Sequence, residues 1–108
     1  MNGLSLGEFE EVVLLAVAIR TGEAYGAAVT TELERQMGRA VSLGAVHSAL
    51  HRLEEKGLVR SQMGGATAER GGRRKRLYTV TAYGRRALEE SRQLRNQLWD
   101  AIPNTAWT

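Results

Sequence analysis

Cysteine is absent from the 108 residues. That removes disulfide frameworks, thiolate metal sites and cysteine nucleophiles together, and it fits a reducing compartment. No apolar run approaches the roughly 18 residues of a membrane span. The opening MNGLSLGEFEE lacks the basic stretch of a secretory signal. The expectation is a soluble, cytoplasmic protein with the length of one compact domain. Catalytic patterns are missing too. Glu54 and Glu55 are adjacent, face different directions on a helix and have no nucleophile pattern nearby. Gly64-Gly65 and Gly71-Gly72 fall between two strands rather than between a strand and a helix, so no dinucleotide fold is suggested. The sequence reads as a non-enzyme without a cofactor.

What is present is basic charge, unevenly placed. The net charge is only +3. Residues 1–38 carry two Arg against six Glu, for −4. Residues 39–88 carry eleven Lys or Arg against three Glu, for +8, and residues 89–108 carry two Arg against three acids, for −1. A basic block between acidic flanks points first to a polyanionic partner, most commonly nucleic acid. A solvated basic face is the bland alternative.

Hydrophobic periodicity divides the chain into four helices and a hairpin. Ser5 and Glu8 have capping-box spacing, with Leu4 and Phe9 placed as a hydrophobic staple. Phe9, Val12, Val13, Ala16 and Val17 then recur at helical spacing to about Arg20. After a Thr21-Gly22-Glu23 turn, a second helix runs from about Ala24 to Met37, with Tyr25, Val29, Leu33 and Met37 on one face. Gly38 suits its left-handed end. Ser42 is an N-cap for a third helix ending at Gly57, with Val46, Ala49, Leu50 and Leu53 as its apolar stripe. Strands follow at Leu58–Met63 and Arg74–Val80, separated by the Gly-rich GGATAERGGR. Thr81 caps a last helix from Ala82 to about Ile102, stopped by Pro103. Its 87, 91, 94, 98, 101 spacing resembles a coiled-coil seam with Ser91 as a polar interruption. A projecting apolar seam needs a cover, and a second copy of the chain is expected to supply it.

Three helices followed by a hairpin are the winged helix-turn-helix plan: mainly α with a small β-hairpin, here with a long C-terminal dimerisation helix. The expected division is a winged DNA-binding domain over 1–81, the dimerisation helix over 82–103 and a loose tail, carrying Trp107, over 104–108. In this plan the second helix of the pair enters the major groove. That helix is 42–57, whose outer face presents Gly44, His47, Ser48, His51, Arg52 and Glu55. Ser42, Gly44 and Ala45 are small, so the backbone can approach a duplex, and the helix N-terminus suits a phosphate. The hairpin concentrates Arg70, Arg73, Arg74, Lys75 and Arg76 in seven residues. Arg70, Arg73 and Arg74 are expected to reach phosphates or the minor groove. Side chains alternate along a strand, so one of Lys75 and Arg76 should lie along the hairpin, partnered by Glu54 or Glu55.

The segments LSLGEFEEVVLLAV, GEAYG, VSLGAVHSALHRLEEKGLV and RGGRRKRLYTVTAYGRRAL resemble the successive signatures of PadR-family transcriptional regulators. The resemblance covers residues 4 to about 95. It implies a winged helix DNA-binding domain, a homodimer held largely by the C-terminal helix and, usually, repression of nearby genes. With one helix after the wing, the chain is similar to the compact branch of the family. By position, Ser42, Gly44 and Ala45 match the family's helix-opening motif, and Gly71-Gly72-Arg73-Arg74 match its wing. Tyr25 matches a tyrosine whose hydroxyl reaches a phosphate. Two departures stand out: His47 replaces a tyrosine on the recognition helix, and Leu77-Tyr78 replaces two aromatics in the wing strand. Phe9, Leu88, Leu94, Leu98, Trp99 and Ile102 are the expected dimer contacts. Some compact members bind flat aromatic drugs between interface tryptophans, so Trp99 has two readings, packing residue or seat for a small aromatic effector.

Rival readings remain open. His47, His51 and Glu55 recur every four residues, a spacing that suits a transition metal, but both histidines lie on the face expected to meet DNA. The expectation is no metal site. If either histidine contacts DNA, binding should strengthen at mildly acidic pH. The alternatives to a sequence-specific repressor are a non-specific nucleic-acid binder and a protein-interaction module using the basic hairpin. Neither requires a donor-rich, small-residue helix face after Ser42.

Overall fold

A computed structural model of the chain describes residues 6–64 and 75–107. Its order is α1 (Glu8–Ile19), α2 (Gly26–Met37), α3 (Leu43–Glu55), β1 (Val59–Met63), β2 (Arg76–Val80) and α4 (Ala82–Asp100), then a 3-10 turn at Asn104–Trp107. The strands form one antiparallel hairpin, with Val59 opposite Val80, Ser61 opposite Tyr78 and Met63 opposite Arg76.

Helices α1 to α3 converge on a core of Val13, Leu14, Ala16, Val17, Val29, Leu33, Val46, Ala49, Leu50 and Leu53, closed by Ala24, Leu58 and Val59. The start of α1 differs from expectation. Its N-cap is Gly7, and it is Glu10, not Glu8, whose carboxylate accepts the backbone N–H three residues earlier, from Gly7 (3.1 Å). Ser5 and Leu4, the expected box and staple residues, lie outside the described residues. Helix α2 opens two residues later than the periodicity suggests, because Ala24 and Tyr25 are extended. Tyr25 bridges Leu77, and the Ala24 carbonyl accepts the N–H of Tyr78 (3.0 Å), so this segment borders the hairpin. The expected punctuation is present elsewhere. Gly38 and Gly57 have positive φ (69° and 79°) at the turns that follow α2 and α3, where a side chain would be strained.

Two buried carboxylates pin the helices together. Glu32 on α2 accepts Arg20 (2.9 Å), Arg35 (2.7 Å) and Gln36 (2.8 Å). The donors from Gln36 and Arg20 outweigh burial, Arg35 adds to them, and the carboxyl is held at about 2. Glu10 on α1 accepts Arg52 (2.8 Å) and Lys56 (2.7 Å) from α3. Burial raises its pKa, but Lys56, Arg52 and the Gly7 amide lower it further, to about 2.

Thr81 caps α4 by accepting the Gly84 N–H (2.9 Å). The helix starts against the body, where Ala87 and Leu88 pack on the core, and then leaves it. Leu98 shares a face with Ser91 two turns earlier, yet it is exposed, because α4 has outrun the body. The molecule measures 61 × 31 × 20 Å, with a radius of gyration of 16.4 Å against roughly 13 Å for a compact domain of this length. Among the described residues no helix is long and apolar enough to cross a membrane.

The end of the chain corrects two expectations. Helix α4 stops at Asp100, with Ile102 just beyond it and half-buried. Residues 104–107 are not a loose tail: beyond Pro103 the chain forms a 3-10 turn that sets the Trp107 ring 5.9 Å from Trp99 of the same chain, tilted by 36°. Two of the six expected dimer contacts, and the polar residue that interrupts the seam, are also engaged internally. Phe9 and Leu88 lie partly buried on their own core, and Ser91 donates to Glu11 of α1 (2.7 Å). Leu94, Leu98 and Trp99 are left 55, 60 and 67% exposed.

Candidate nucleic-acid interface

The outer face of α3 is built from its cap onward. Ser42 has extended backbone, and its Oγ accepts the Ala45 N–H (3.1 Å). The amides of Leu43 and Gly44 therefore stand at the exposed tip, ahead of the first intrahelical bonds. Ser42, Gly44, Ala45, His47, Ser48 and His51 are all exposed, while the opposite stripe of Val46, Ala49, Leu50 and Leu53 is buried. Sequence reasoning missed Leu43. It is 48% exposed at the first helical position, and an apolar side chain there is of the kind that meets a thymine methyl. Its signal was the unexplained apolar residue between a cap and a glycine.

His47 and His51 are placed differently from one another. The His47 ring lies over Gly26 at the start of α2, with Nε2 only 2.5 Å from where a β-carbon at Gly26 would stand. Gly26 therefore leaves room for the Nε2 edge of the imidazole at the α2–α3 junction. His51 pairs along the helix with Glu55 (3.3 Å). Among the described residues no group of three His, Asp or Glu is placed to hold a metal ion.

Arg52 departs most from its expected place. It faces α1, bonded with Lys56 to the buried Glu10. The Glu10 carboxylate offsets one of these two positive charges, so the outward field of the basic block is weaker than +8 implies. Arg52 anchors α3 and is only half exposed.

On the hairpin, Lys75 and Arg76 separate as strand alternation requires. Arg76 donates to Ser61 (2.9 Å) and Ser61 donates to Glu54 of α3 (2.7 Å). Arg76 thus lies along the hairpin, joined to Glu54 through a hydroxyl rather than directly. Lys75 sits 5.6 Å from the centre of the Tyr25 ring, a cation–π distance. Tyr25 also borders Gly64, where a β-carbon would come within 3.6 Å of the tyrosine hydroxyl. Tyr25, Lys75 and Gly64 therefore meet at the base of the wing. Tyr78 is half-buried beside this relay, where burial and then the Glu54 charge push its phenol up. Arg70, Arg73 and Arg74 lie outside the described residues.

A capped, outward-facing helix beside an antiparallel hairpin, both resting on two further helices, defines the winged helix-turn-helix class. Residues 14–90 match the transcriptional regulator PadR-like family, and the chain belongs to that family. It is 41% identical over 76 residues to the transcriptional regulator Rv3488 of Mycobacterium tuberculosis. That match covers 70% of this chain and 66% of the relative. A PadR family transcription regulator from Clostridium difficile shares the fold with a TM-score of 0.63 at 28% identity, over 82% of this chain and 91% of that one. A PadR-like regulator from Bacillus cereus superposes with a TM-score of 0.70 at 23% identity, over 93 and 92% of the two chains.

Proposed function

We propose that the protein is a cytoplasmic, homodimeric, sequence-specific DNA-binding regulator, acting as a repressor at an inverted-repeat operator. Helix α3 enters the major groove through Ser42, Gly44, Ala45, His47, Ser48 and His51. The basic wing over 64–76 holds the flanking backbone through Arg70, Arg73, Arg74 and Lys75, and Arg76 braces the hairpin. The observation that carries this reading is the exposed, small and donor-rich outer face of α3, set against a basic hairpin. The exposed Leu94, Leu98 and Trp99 on α4 support a second copy as their cover, since contiguous apolar surface marks an association site. Two-fold pairing places the recognition helices about one DNA turn, roughly 34–36 Å, apart.

Fluorescence anisotropy on a panel of duplexes tests the division of labour. Removing Arg73 and Arg74 takes four cations from the dimer. It should weaken binding to every sequence and reduce the log–log salt slope by about 3–4. Changing His47 or Ser48 should alter the ranking of sequences instead. Identical behaviour of the two sets of variants would overturn the reading.

Trp99 favours a second partner, a planar aromatic effector. Its exposed ring meets Trp107 at a tilt rather than face to face, which leaves a large amphipathic stacking surface. Quenching of Trp99 fluorescence by planar cations or phenols in a Trp107→Phe background is the expected result. No quenching across the panel would leave packing as its role.

A further inference from the structure

Beside the packing of Ala87 and Leu88 on the core, helix α4 is tied to the winged body at two points. The first is its opening turn, where Thr81 caps the helix and Gly84 lies so close to the Leu58 carbonyl that no β-carbon fits. The second is one residue of α1. Glu11 accepts the Ser91 hydroxyl (2.7 Å) on one carboxylate oxygen and the Arg95 guanidinium (3.2 Å) on the other. Glu11 is 14% exposed, so its bond to Ser91 is partly shielded from water, while the Arg95 bond lies at the surface. Ser91 lies seven residues beyond Gly84, roughly 10 Å along the axis. These two ties, with Ala87 and Leu88 packed between them, fix the direction of a rigid rod, and past Arg95 α4 is exposed along its length. Ser91, out of place in an apolar seam, is explained: it faces α1.

We infer that Glu11 sets the tilt of α4, and through it the half-site spacing that the dimer accepts; Glu11, with Ser91 and Arg95, is a positioning residue for operator choice. This rests on the dimeric DNA-binding reading above. From Gly84 to Leu98 the helix is roughly 20 Å long. A tilt of about 10° over that length moves each winged body by about 3–4 Å, close to the 3.4 Å rise of one base pair. A charge-assisted bond of this kind can hold such an angle because its geometry is directional.

The chain has no cysteine, so Thr31→Cys, at an exposed position on α2, admits a single spin label. Pulsed dipolar spectroscopy on the full-length dimer should give one narrow distance between protomers. Glu11→Ala should broaden it or shift it by at least about 3 Å, and binding should lose its preference for one half-site spacing. Glu11→Gln, which keeps an acceptor for Ser91, should recover much of the wild-type distribution, a rescue that a purely structural role would not produce. Ser91→Ala gives the same test should Glu11→Ala fail to fold. An unchanged distribution and spacing preference in variants that remain dimeric would overturn the inference. Absence of any inter-protomer distance in the wild type would instead overturn the dimer reading, and this inference with it.

Discussion

Replacing Gly84 by alanine should unfold the junction between the wing and α4. A β-carbon there falls 3.0 Å from Val80 Cγ1, 3.1 Å from the Leu58 carbonyl carbon and closer still to its oxygen. Val80 can rotate, but the Leu58 carbonyl has little freedom. Its oxygen accepts the Thr81 N–H (3.0 Å) and the Thr81 hydroxyl (3.1 Å), and the Leu58 N–H is bonded to Leu53 (2.9 Å). Relief requires the first turn of α4 to withdraw by roughly 1 Å, at an overpacking cost of about 1–3 kcal/mol. Two strained hydrogen bonds add about 0.5–1.5 kcal/mol each. Alanine's helix propensity returns about 1 kcal/mol. The net loss is about 1–5 kcal/mol, and its midpoint of about 3 kcal/mol corresponds to a Tm lower by roughly 12–24 °C. Urea titration followed by far-ultraviolet circular dichroism, at fixed protein concentration because dimerisation contributes, measures it. Gly44→Ala is the control. Its β-carbon meets only Ser42 Oγ at 3.6 Å, so the same exchange should leave stability equal or slightly higher. A Gly84→Ala protein as stable as wild type would refute the reasoning.

Other expectations concern charge and caps. Glu10 and Glu32, both held at about 2, lie below their ordinary value of 4.5, so they contribute stability that is complete above about pH 4.5 and lost as pH falls toward 2. Glu10→Gln and Glu32→Gln should flatten this acid limb in urea midpoints measured between pH 3 and 6; an unaltered limb would contradict the assignment. Ser42→Ala removes the cap of α3 and should cost about 1 kcal/mol, read by the same titration. Gly44→Ala, harmless to stability, should weaken operator binding by crowding the helix tip, and anisotropy separates the two effects. Ser61→Ala breaks the relay between Arg76 and Glu54 and should cost about 1 kcal/mol; if the wing depends on that relay, double-mutant coupling between Arg76→Ala and Glu54→Gln should disappear in its absence.

Local chemistry in the sequence was enough to locate much of this architecture. Ser42 and Thr81 each satisfy amides three residues on, and Gly38 needs only its own backbone freedom, so neighbouring residues decide them. Glu10 illustrates the opposite case. Its partners Arg52 and Lys56 are 42 and 46 residues away, and no spacing rule distinguishes it from Glu8 as the residue that reaches back to the cap. The same distance hides the true place of Arg52, which a helical wheel puts on the outer face. Extended Ala24 and Tyr25 read as helix because the hydrogen bond that straightens them comes from Tyr78. The 87, 91, 94, 98 spacing on α4 is real, but periodicity cannot tell a seam against α1 from a seam against a second chain. The structure divides it, with Ala87 and Ser91 facing the body and Leu94 and Leu98 exposed.

Selection from random duplexes with the purified protein tests the central proposal most directly. Enrichment of an inverted repeat with half-site centres about 10 base pairs apart is the predicted result. Binding with no enriched sequence, or enrichment of a single unrepeated half-site, would contradict it.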